Sequence, residues 1–411
     1  MGTPLAASVF LSIIIMETYT SNLPSMLLAV LIATALAAAA SLSYGELVSI
    51  YPSAAGNRVF LKKPMGDVVS ISLSFMWTII ILGAAGVEAY VLGNVIHFLI
   101  PAVPAIIWSV ISLTIILLIN AVGVEISGNF QMGITFFIAS ALVVVSVIAL
   151  VTPHHALNTG GNIDFAGSLS AAAVGVYFFL GFGRVTTLGE EAIDFKKGIP
   201  RAMPIAIILL GIVFTFVSSA IFTRVPLSSV QSSAVPQIVL GKYMLNGDYA
   251  IIVAIISALM SFSTFNAGIL GTSRLIYALG REGTLPKFLG TINSKFFTPT
   301  FSLVFIYAIA LVVTITVYVT RSFTIPVLVA ALFDSFMYAF VSYSAFWHHR
   351  KLARGEIPFR VKGGTILFPV TAIIFIVLGL ILVLTSPFIV TGLTVLGIIL
   401  TGVYFYLRVE K

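Results

Sequence analysis

Several ionisable side chains lie within long apolar stretches of this sequence, and the types and positions of two of them could support chemistry. Glu88 lies in one stretch, and Arg184 directly follows Gly181-Phe182-Gly183 in another. An ionisable side chain among apolar residues is costly unless it pairs, so it marks a candidate ion or substrate site. Glu88 could carry a proton through such a region, or it could be a packed residue near a helix end.

Hydroxyl side chains form a third candidate feature, at Ser261, Ser263 and Thr264. Their oxygens are the ligand type that hard cations prefer. Ordinary hydrogen bonding is the alternative, because Ser and Thr commonly bond within or between membrane helices. The cluster is therefore a candidate cation site, but it is also compatible with simple helix packing.

Catalytic patterns are absent from the sequence. It contains no cysteine, which excludes disulfides and thiolate metal sites. The His154-His155 and His348-His349 pairs are adjacent in sequence, and adjacent residues point to different faces of a helix. Because no nucleophile lies in a pattern with a base, we predict that the chain is not an enzyme and needs no resident cofactor.

Composition indicates the environment of these residues. Of 411 residues, 59% are hydrophobic and 9% are charged, whereas a soluble domain carries about 25% charged residues. The formal net charge of +7 resides in short clusters between apolar segments, which argues against a nucleic-acid partner. A spanning helix needs about 20 apolar residues, so the chain has material for about ten to twelve spans in a lipid bilayer.

The apolar stretches divide into twelve candidate spans. They must be helices, because strands exposed to lipid leave backbone polar groups unsatisfied unless they close into a barrel. The predicted spans are 5–20, 26–50, 68–100, 103–121, 130–152, 168–192, 201–223, 249–279, 300–319, 324–347, 366–386 and 388–407.

The basic residues predict the orientation of these spans. With the N-terminus inside, only Arg224, Lys242 and Arg321 of the 21 Lys and Arg residues fall outside, while Arg184 falls within a span. Cytoplasmic loops carry an excess of Lys and Arg. We therefore expect a multi-pass protein of the cytoplasmic membrane with both termini in the cytoplasm.

The first and sixth spans differ from plain membrane helices. Small residues fill the start of the first span, and Gly181 and Gly183 lie in the middle of the sixth. Glycine weakens a helix interior, and a broken helix in lipid is tolerated where its freed backbone groups line a cavity. Interrupted spans in corresponding positions of two halves indicate the binding site of a transporter.

Four stretches of the sequence resemble the amino acid–polyamine–organocation (APC) permeases. They occur in the family's order over nearly the whole chain, each at the expected helix end. The first two are Tyr44-Gly45-Glu46-Leu47 with Pro52 and Ala55-Gly56, and Phe178-Phe179-Leu180-Gly181-Phe182 with Glu190-Glu191 and Ile199-Pro200-Arg201-Ala202. The other two are Asn266-Ala267, Ser273-Arg274, Tyr277-Ala278, Arg281-Glu282-Gly283, Leu285-Pro286 and Thr298-Pro299, and Pro358-Phe359-Arg360-Val361 with Gly363-Gly364 and Pro369.

The resemblance implies an all-α polytopic membrane protein with a leucine-transporter-type fold, in which two inverted five-helix repeats are followed by two peripheral helices. We expect the first repeat (spans 1–5) in residues 1–152, with a shortened first helix. The second repeat (spans 6–10) would occupy 153–350, and the peripheral spans 11 and 12 would occupy 351–411. Almost nothing precedes the first break, so we expect the inner half of helix one to be missing.

The resemblance also implies a substrate site at two helix breaks. The family's first break, a Gly-x-Gly-Ile-Phe-like motif, corresponds to Ala6-Ala7-Ser8-Val9-Phe10. The expected substrate-binding residues are Ala6, Ala7, Ser8, Val9, Phe179, Gly181, Phe182 and Gly183. The substrate carboxylate would lie on backbone N–H groups at a half-helix start, where the helix dipole is positive, and its ammonium would face unwound carbonyls.

Coupling and gating residues are less closely specified. Arg184 stands where many family members have an acidic residue, and it could pair with Glu190 or Glu191 or meet an anionic group of the substrate. In sodium-coupled relatives of this fold, span-eight hydroxyls bind the ion, which makes Ser263 and Thr264 a possible Na⁺ site. Span five has no Lys, where several proton-coupled members have one. Na⁺ coupling, H⁺ coupling through a carboxylate such as Glu88, and uncoupled exchange therefore stay open.

These patterns predict a secondary active transporter that moves an amino acid or a related amine by alternating access. The alternative is a transport-dead relative of the same fold that acts as a substrate sensor or a partner subunit. A channel is a weaker interpretation, because the sequence has no filter-like repeat. The sequence does not specify the substrate, the direction of flux or the oligomeric state.

Overall fold

The computed structural model shows a helical protein. It describes residues 5–53, 55–122, 128–152, 157, 159–179, 181–188, 194–231, 236–245, 250–321 and 324–409. Within these residues the regular elements are α-helices and short 3₁₀ turns, and none is a strand. This confirms the predicted all-α class, which satisfies backbone polar groups inside each segment.

The helices follow the apolar stretches of the sequence. In chain order they are α1 Val9–Glu17, α2 Leu23–Ile50, α3 Asn57–Met65, α4 Asp67–Leu99, α5 Ala105–Val122, α6 Gly128–Val151, α7 Phe165–Gly175, α8 Gly198–Arg224, α9 Leu227–Gln231, α10 Pro236–Leu245, α11 Ala250–Arg281, α12 Thr300–Thr320, α13 Thr324–Lys351, α14 Gly364–Thr385 and α15 Phe388–Val409. The 3₁₀ turns are Val176–Phe179, Phe182–Leu188, Lys287–Gly290 and Arg354–Glu356.

The number of clear membrane spans differs from the prediction of twelve. Among the described residues, ten helices are long and apolar enough to cross a membrane. Helix α1 has 9 residues because it begins only at Val9, and a full crossing needs about 20. In α11 the apolar part is a shorter helix, Ile251–Phe265. The twelve-span count, the inverted repeats and the boundaries at residues 152 and 350 therefore stay predictions.

Burial separates central helices from peripheral ones. Of the most apolar window of each span, 65% is buried in α4, 67% in α13 and 76% in Phe165–Thr187, but only 17% in α15. Exposed apolar side chains on α15 are compatible with a membrane, because lipid tails are as apolar as Leu. The sixth span and α4, which carry the candidate residues, thus lie at the centre of the bundle.

Small residues allow α2 to pack closely against α7 and α8. A Cβ atom added to Gly175 of α7 would lie 3.1 Å from Ala33 Cβ, and one added to Gly211 of α8 would lie 2.2 Å from Thr34 Cγ2. Larger side chains at these points would push the helices apart. This packing holds the start of the sixth span rigidly against α2.

A buried carboxylate joins α2 to the segment after α13. Glu46 Oε1 lies 2.7 Å from His349 Nδ1, and Oε2 accepts a hydrogen bond from the Val361 N–H at 2.8 Å. Arg360 Nη2 donates to the carbonyl of His349 at 2.6 Å. The Tyr-Gly-Glu-Leu and Pro-Phe-Arg-Val stretches are therefore parts of one structural contact.

Candidate functional site

The first interrupted segment lies directly before α1. Residues 5–8 lie outside the regular helix, which begins at Val9. The first N–H groups of a helix have no partner within the helix. Here the N–H groups of Ala7 and Ser8 donate to the carboxylate of Glu88 on α4, at 3.1 and 2.6 Å.

Glu88 connects this segment to two other elements. Its Oε2 also accepts a hydrogen bond from Ser261 Oγ of α11 at 2.8 Å. Ser8 Oγ in turn lies 2.9 Å from the Tyr177 hydroxyl in the sixth span. Glu88 is 1% exposed, and hydrogen bonds to a buried carboxylate are stronger than neutral ones. These bonds fasten the start of α1 to α4, α11 and the sixth span.

The second interrupted segment divides the sixth span. Helix α7 ends at Gly175, one 3₁₀ turn covers Val176–Phe179, and another begins at Phe182. Gly181 has a φ of +86°, a conformation that residues with a Cβ atom rarely adopt. The glycine therefore permits a change of chain direction at this point, in the stretch where the sequence predicts a break.

A narrow cavity lies between the two interrupted segments. Its polar wall residues are Ser8, Glu88, Tyr177, Arg184, Thr264 and Thr272. Its remaining wall residues are Ala6, Leu82, Ala84, Ala85, Gly181, Phe265, Gly268 and Ile269. An apolar cavity with a few convergent polar groups is typical of small-molecule sites.

Arg184 brings a positive charge to this cavity and is 7% exposed. Its Nε has no hydrogen-bond partner, and among the described residues no carboxylate forms an ion pair with it within 4.0 Å. Asp334 of α13 attracts it through space, but the Asp334 carboxylate accepts hydrogen bonds from Trp77 at 2.8 Å and Tyr338 at 3.3 Å. The guanidinium thus keeps donors available toward the cavity.

The structure brings some of the predicted residues together on the cavity wall. These are Ala6, Ser8, Gly181, Arg184, Glu88 and Thr264. Ala7 contributes its N–H to Glu88, and Val9 is buried as the first residue of α1. Ser263 is buried on α11 beside the cavity residue Thr264.

The predicted aromatic residues of the second break pack away from the cavity wall. The Phe182 ring centroid lies 5.4 Å from that of Tyr44 and 5.1 Å from that of Tyr338. Phe179 packs edge-on against Phe214 at 5.7 Å. A Cβ atom on Gly183 would lie 2.8 Å from the Tyr44 ring. In this structure these residues pack against neighbouring aromatic side chains that do not line the cavity, and this packing stabilises the break.

Sequence reasoning missed two polar wall residues, Tyr177 and Thr272. Tyr177 lies next to Phe178 and Phe179, and its hydroxyl group was the signal that distinguished it from these neighbours. Thr272 lies in an apolar stretch that contains several other hydroxyl residues, and no pattern distinguished it from them. The predicted partners of Arg184, Glu190 and Glu191, lie outside the described residues, as does the His154-His155 pair.

The fold and the site together define a class of protein. Interrupted helices that surround a buried cavity within a bundle of membrane-spanning helices are typical of membrane transporters. The chain belongs to the amino acid permease family, which it matches over residues 4–409. The predicted membership of the APC superfamily is thus confirmed.

Curated relatives are similar to this chain at low identity. The low-affinity putrescine importer PlaP of Escherichia coli (strain K12) is 25% identical over 291 residues, which cover 66% of this chain and 63% of the importer. The cystine/glutamate transporter of Homo sapiens is 24% identical over 313 residues, covering 73% and 62%. The Asc-type amino acid transporter 1 of Mus musculus is 26% identical over 280 residues, covering 63% and 52%. The match spans less than two thirds of the length of each relative. All three relatives are transporters and not enzymes.

A solved structure shares the fold. A mutant of the manganese transporter of Eremococcus coleocola superposes with a TM-score of 0.63 at 10% identity, covering 100% of this chain and 92% of that chain. At this identity the likeness concerns the fold alone. It supports the predicted transporter fold.

Proposed function

We propose that this protein is a secondary active transporter that moves an amino acid or a related amine across the cytoplasmic membrane by alternating access. The observation that carries the proposal is the cavity bounded by the segment before α1 and by the break at Gly181. Backbone groups freed at helix breaks are suited to bind small polar molecules away from lipid. Membership of the amino acid permease family supports the same class of substrate.

The interrupted elements are the parts expected to move. A 3₁₀ turn has weaker hydrogen-bond geometry than an α-helix, and two such turns flank Gly181. Rocking of α1 and the sixth span against α4 and α11 would expose the cavity to each side in turn. During this transition the hydrogen bonds that Ala7 and Ser8 N–H donate to Glu88 would have to break, or Glu88 would have to move together with the start of α1.

The coupling ion is part of the proposal, and the candidates are H⁺ and Na⁺. Thr264 Oγ1 donates to the carbonyl of Leu5 at 3.2 Å, which brings together two oxygens of the kind that Na⁺ prefers. Glu88 is the carboxylate on the cavity wall that could carry H⁺. An inward Na⁺ gradient at equal pH, and an inward H⁺ gradient without Na⁺, distinguish the two ions. Uptake accelerated by neither gradient would indicate exchange.

Uptake into proteoliposomes tests the function. Labelled amino acids and putrescine are offered to the wild-type protein, to Gly181→Leu and to the control Gly402→Leu. Gly402 lies on α15 with no neighbouring atom near an added Cβ, whereas any side chain at Gly181 strains the positive φ. We expect uptake by the wild type and the control, and a loss in Gly181→Leu.

Size-exclusion profiles establish that the three proteins are folded. Unimpaired uptake by Gly181→Leu would contradict the assignment of the site. If the folded wild type takes up none of the compounds, the proposed function is wrong.

A further inference from the structure

The backbone donors at the start of α1 are already occupied by the protein itself. The N–H groups of Ala7 and Ser8 donate to Glu88 at 3.1 and 2.6 Å. The family resemblance reserves such donors for the carboxylate of the substrate. A second carboxylate at this point would meet the charge of Glu88 in a buried setting, where like charges repel strongly. The anionic end of a substrate therefore needs a different partner.

Arg184 is a suitable partner on the same cavity wall. It is 7% exposed, its Nε lacks a hydrogen-bond partner, and the part of the chain that the structure describes gives it no ion pair. A guanidinium offers five N–H donors in a planar fork that fits a carboxylate. A buried charge without a close partner is unfavourable, so an anionic group bound beside Arg184 would stabilise its guanidinium.

Two neighbouring residues leave the N–H donors of the Arg184 guanidinium without a structural hydrogen bond to the described part of the chain. Asp334 attracts the guanidinium through space, but the Asp334 carboxylate is engaged by Trp77 and Tyr338. Gly268 provides the room, because a Cβ atom there would lie 2.6 Å from Arg184 Nη1. The Arg184 side chain therefore lies beside the cavity and makes no ion pair with the described residues.

We propose that Arg184 binds the carboxylate of the substrate and that the ammonium group of the substrate faces Glu88. This assignment rests on the proposed function, because it gives roles within the same cavity. The substrate is then a zwitterion whose carboxylate lies at the break of the sixth span instead of at the start of α1. Leu82, Phe265 and Ile269 of the wall would contact its side chain.

The arrangement predicts which compounds are excluded. A diamine such as putrescine would bring a cationic group to the buried Arg184 and would leave the guanidinium unpaired. We therefore expect this chain to prefer amino acids over the amines that result from their decarboxylation. This preference would distinguish it from the putrescine importer that it resembles at 25% identity.

Matched pairs of compounds test the preference directly. The probes are leucine with isopentylamine and ornithine with putrescine, and in each pair the amine lacks the carboxylate of the amino acid. Binding to the purified full chain is measured by titration, and uptake is measured in proteoliposomes. Loss of a hydrogen-bonded charged partner corresponds to about 10- to 100-fold in affinity. We expect the preferred amino acid to bind at least about 10-fold more tightly than its amine.

Variants assign the preference to Arg184. Arg184→Gln should lower the affinity for the preferred amino acid by about 10- to 100-fold and leave that for the paired amine unchanged or higher. Arg184→Lys should retain part of the preference, because it keeps the charge but loses the planar fork. Arg354→Gln, at an exposed position, is the matched control and should behave like the wild type.

The outcomes separate this inference from the proposed function. Equal binding of amino acids and their amines by the wild type would overturn the role of Arg184 while uptake still supports a transporter. The role of Arg184 would also be overturned if Arg184→Gln lowered the affinity for both compounds of a pair equally, because a purely structural role gives that result. If Arg184→Gln does not fold, the affinities of the wild type and of Arg184→Lys for the paired compounds still test the role of Arg184. Absence of binding and uptake for all compounds would refute the transporter itself.

Discussion

Replacement of Glu88 by Gln should loosen the start of α1. The carboxylate accepts three hydrogen bonds: Oε1 from the Ser8 N–H, and Oε2 from the Ala7 N–H and from Ser261 Oγ. A glutamine has one acceptor oxygen and a donating NH₂ group. In its best orientation it keeps the two bonds at Oε2 and points NH₂ at the Ser8 N–H. One bond to a charged acceptor is lost, which costs about 1.5–3 kcal/mol.

Hydrogen exchange measures this loss where it occurs. A peptide that covers residues 5–16 reports on the amides of Ala7 and Ser8 and on the first turns of α1. Since about 1.4 kcal/mol corresponds to a tenfold change in an equilibrium constant, local opening should become about 10- to 100-fold more frequent. The rest of α4 should keep its protection, because its own backbone hydrogen bonds are unchanged.

A matched substitution on the surface serves as control. Glu356 Oε2 accepts a hydrogen bond from the Ala353 N–H at 2.6 Å in an exposed 3₁₀ turn. Glu356→Gln should change exchange only at Ala353 and leave residues 5–16 as in the wild type. If Glu88→Gln leaves the exchange of residues 5–16 unchanged, the carboxylate does not hold the start of α1 and the described geometry is wrong.

Two further predictions concern the scaffold that supports the site. Glu46→Ala removes the buried acceptor shared by two described donors and should lower the free energy of unfolding by about 2–6 kcal/mol, because each buried donor left without an acceptor costs about 1–3 kcal/mol; an unchanged melting temperature in detergent would contradict this. Gly280→Ala places a Cβ atom 2.3 Å from the backbone N of Gly290, so we expect about 1–3 kcal/mol of destabilisation from overpacking. Gly392→Ala on α15, where nothing crowds an added Cβ, is its control, and equal melting temperatures for both variants would refute the close approach.

The helical architecture could be predicted because it depends on local properties of the chain. Long apolar stretches must become helices in lipid, and their length fixes how many can cross. Gly181 was informative for the same reason, since its positive φ is a local feature that glycine permits. The small residues before Val9 indicated a break at the start of α1, but the contacts of this segment with α4 and α11 could not be predicted from local sequence.

The site could be predicted only in part, because it depends on contacts between distant residues. Glu88 and Ser8 are separated by 80 positions in sequence, and no local pattern shows that they meet. The resemblance grouped Ala6, Ser8 and Gly181, and these residues line one cavity, but it could not reveal that the Glu88 carboxylate accepts hydrogen bonds from the backbone N–H groups of Ala7 and Ser8. Phe182 packs against Tyr44 in this structure, so its expected contact with substrate stays a prediction.

Three buried ionisable groups show how structure and site can be distinguished. Glu46 has partners on both oxygens and joins two segments, and Glu88 has three donors but also lines the cavity. Arg184 lines the same cavity, and among the described residues its Nε–H donates no hydrogen bond and no carboxylate pairs with it within 4.0 Å. Because a buried charge without a close partner is costly, such a charge beside a cavity favours a ligand that supplies the opposite charge. The same argument predicts that substitution of each side chain has a different main effect. Substitution of Glu46 should lower stability most, substitution of Glu88 should displace the start of α1, and substitution of Arg184 should change ligand selectivity.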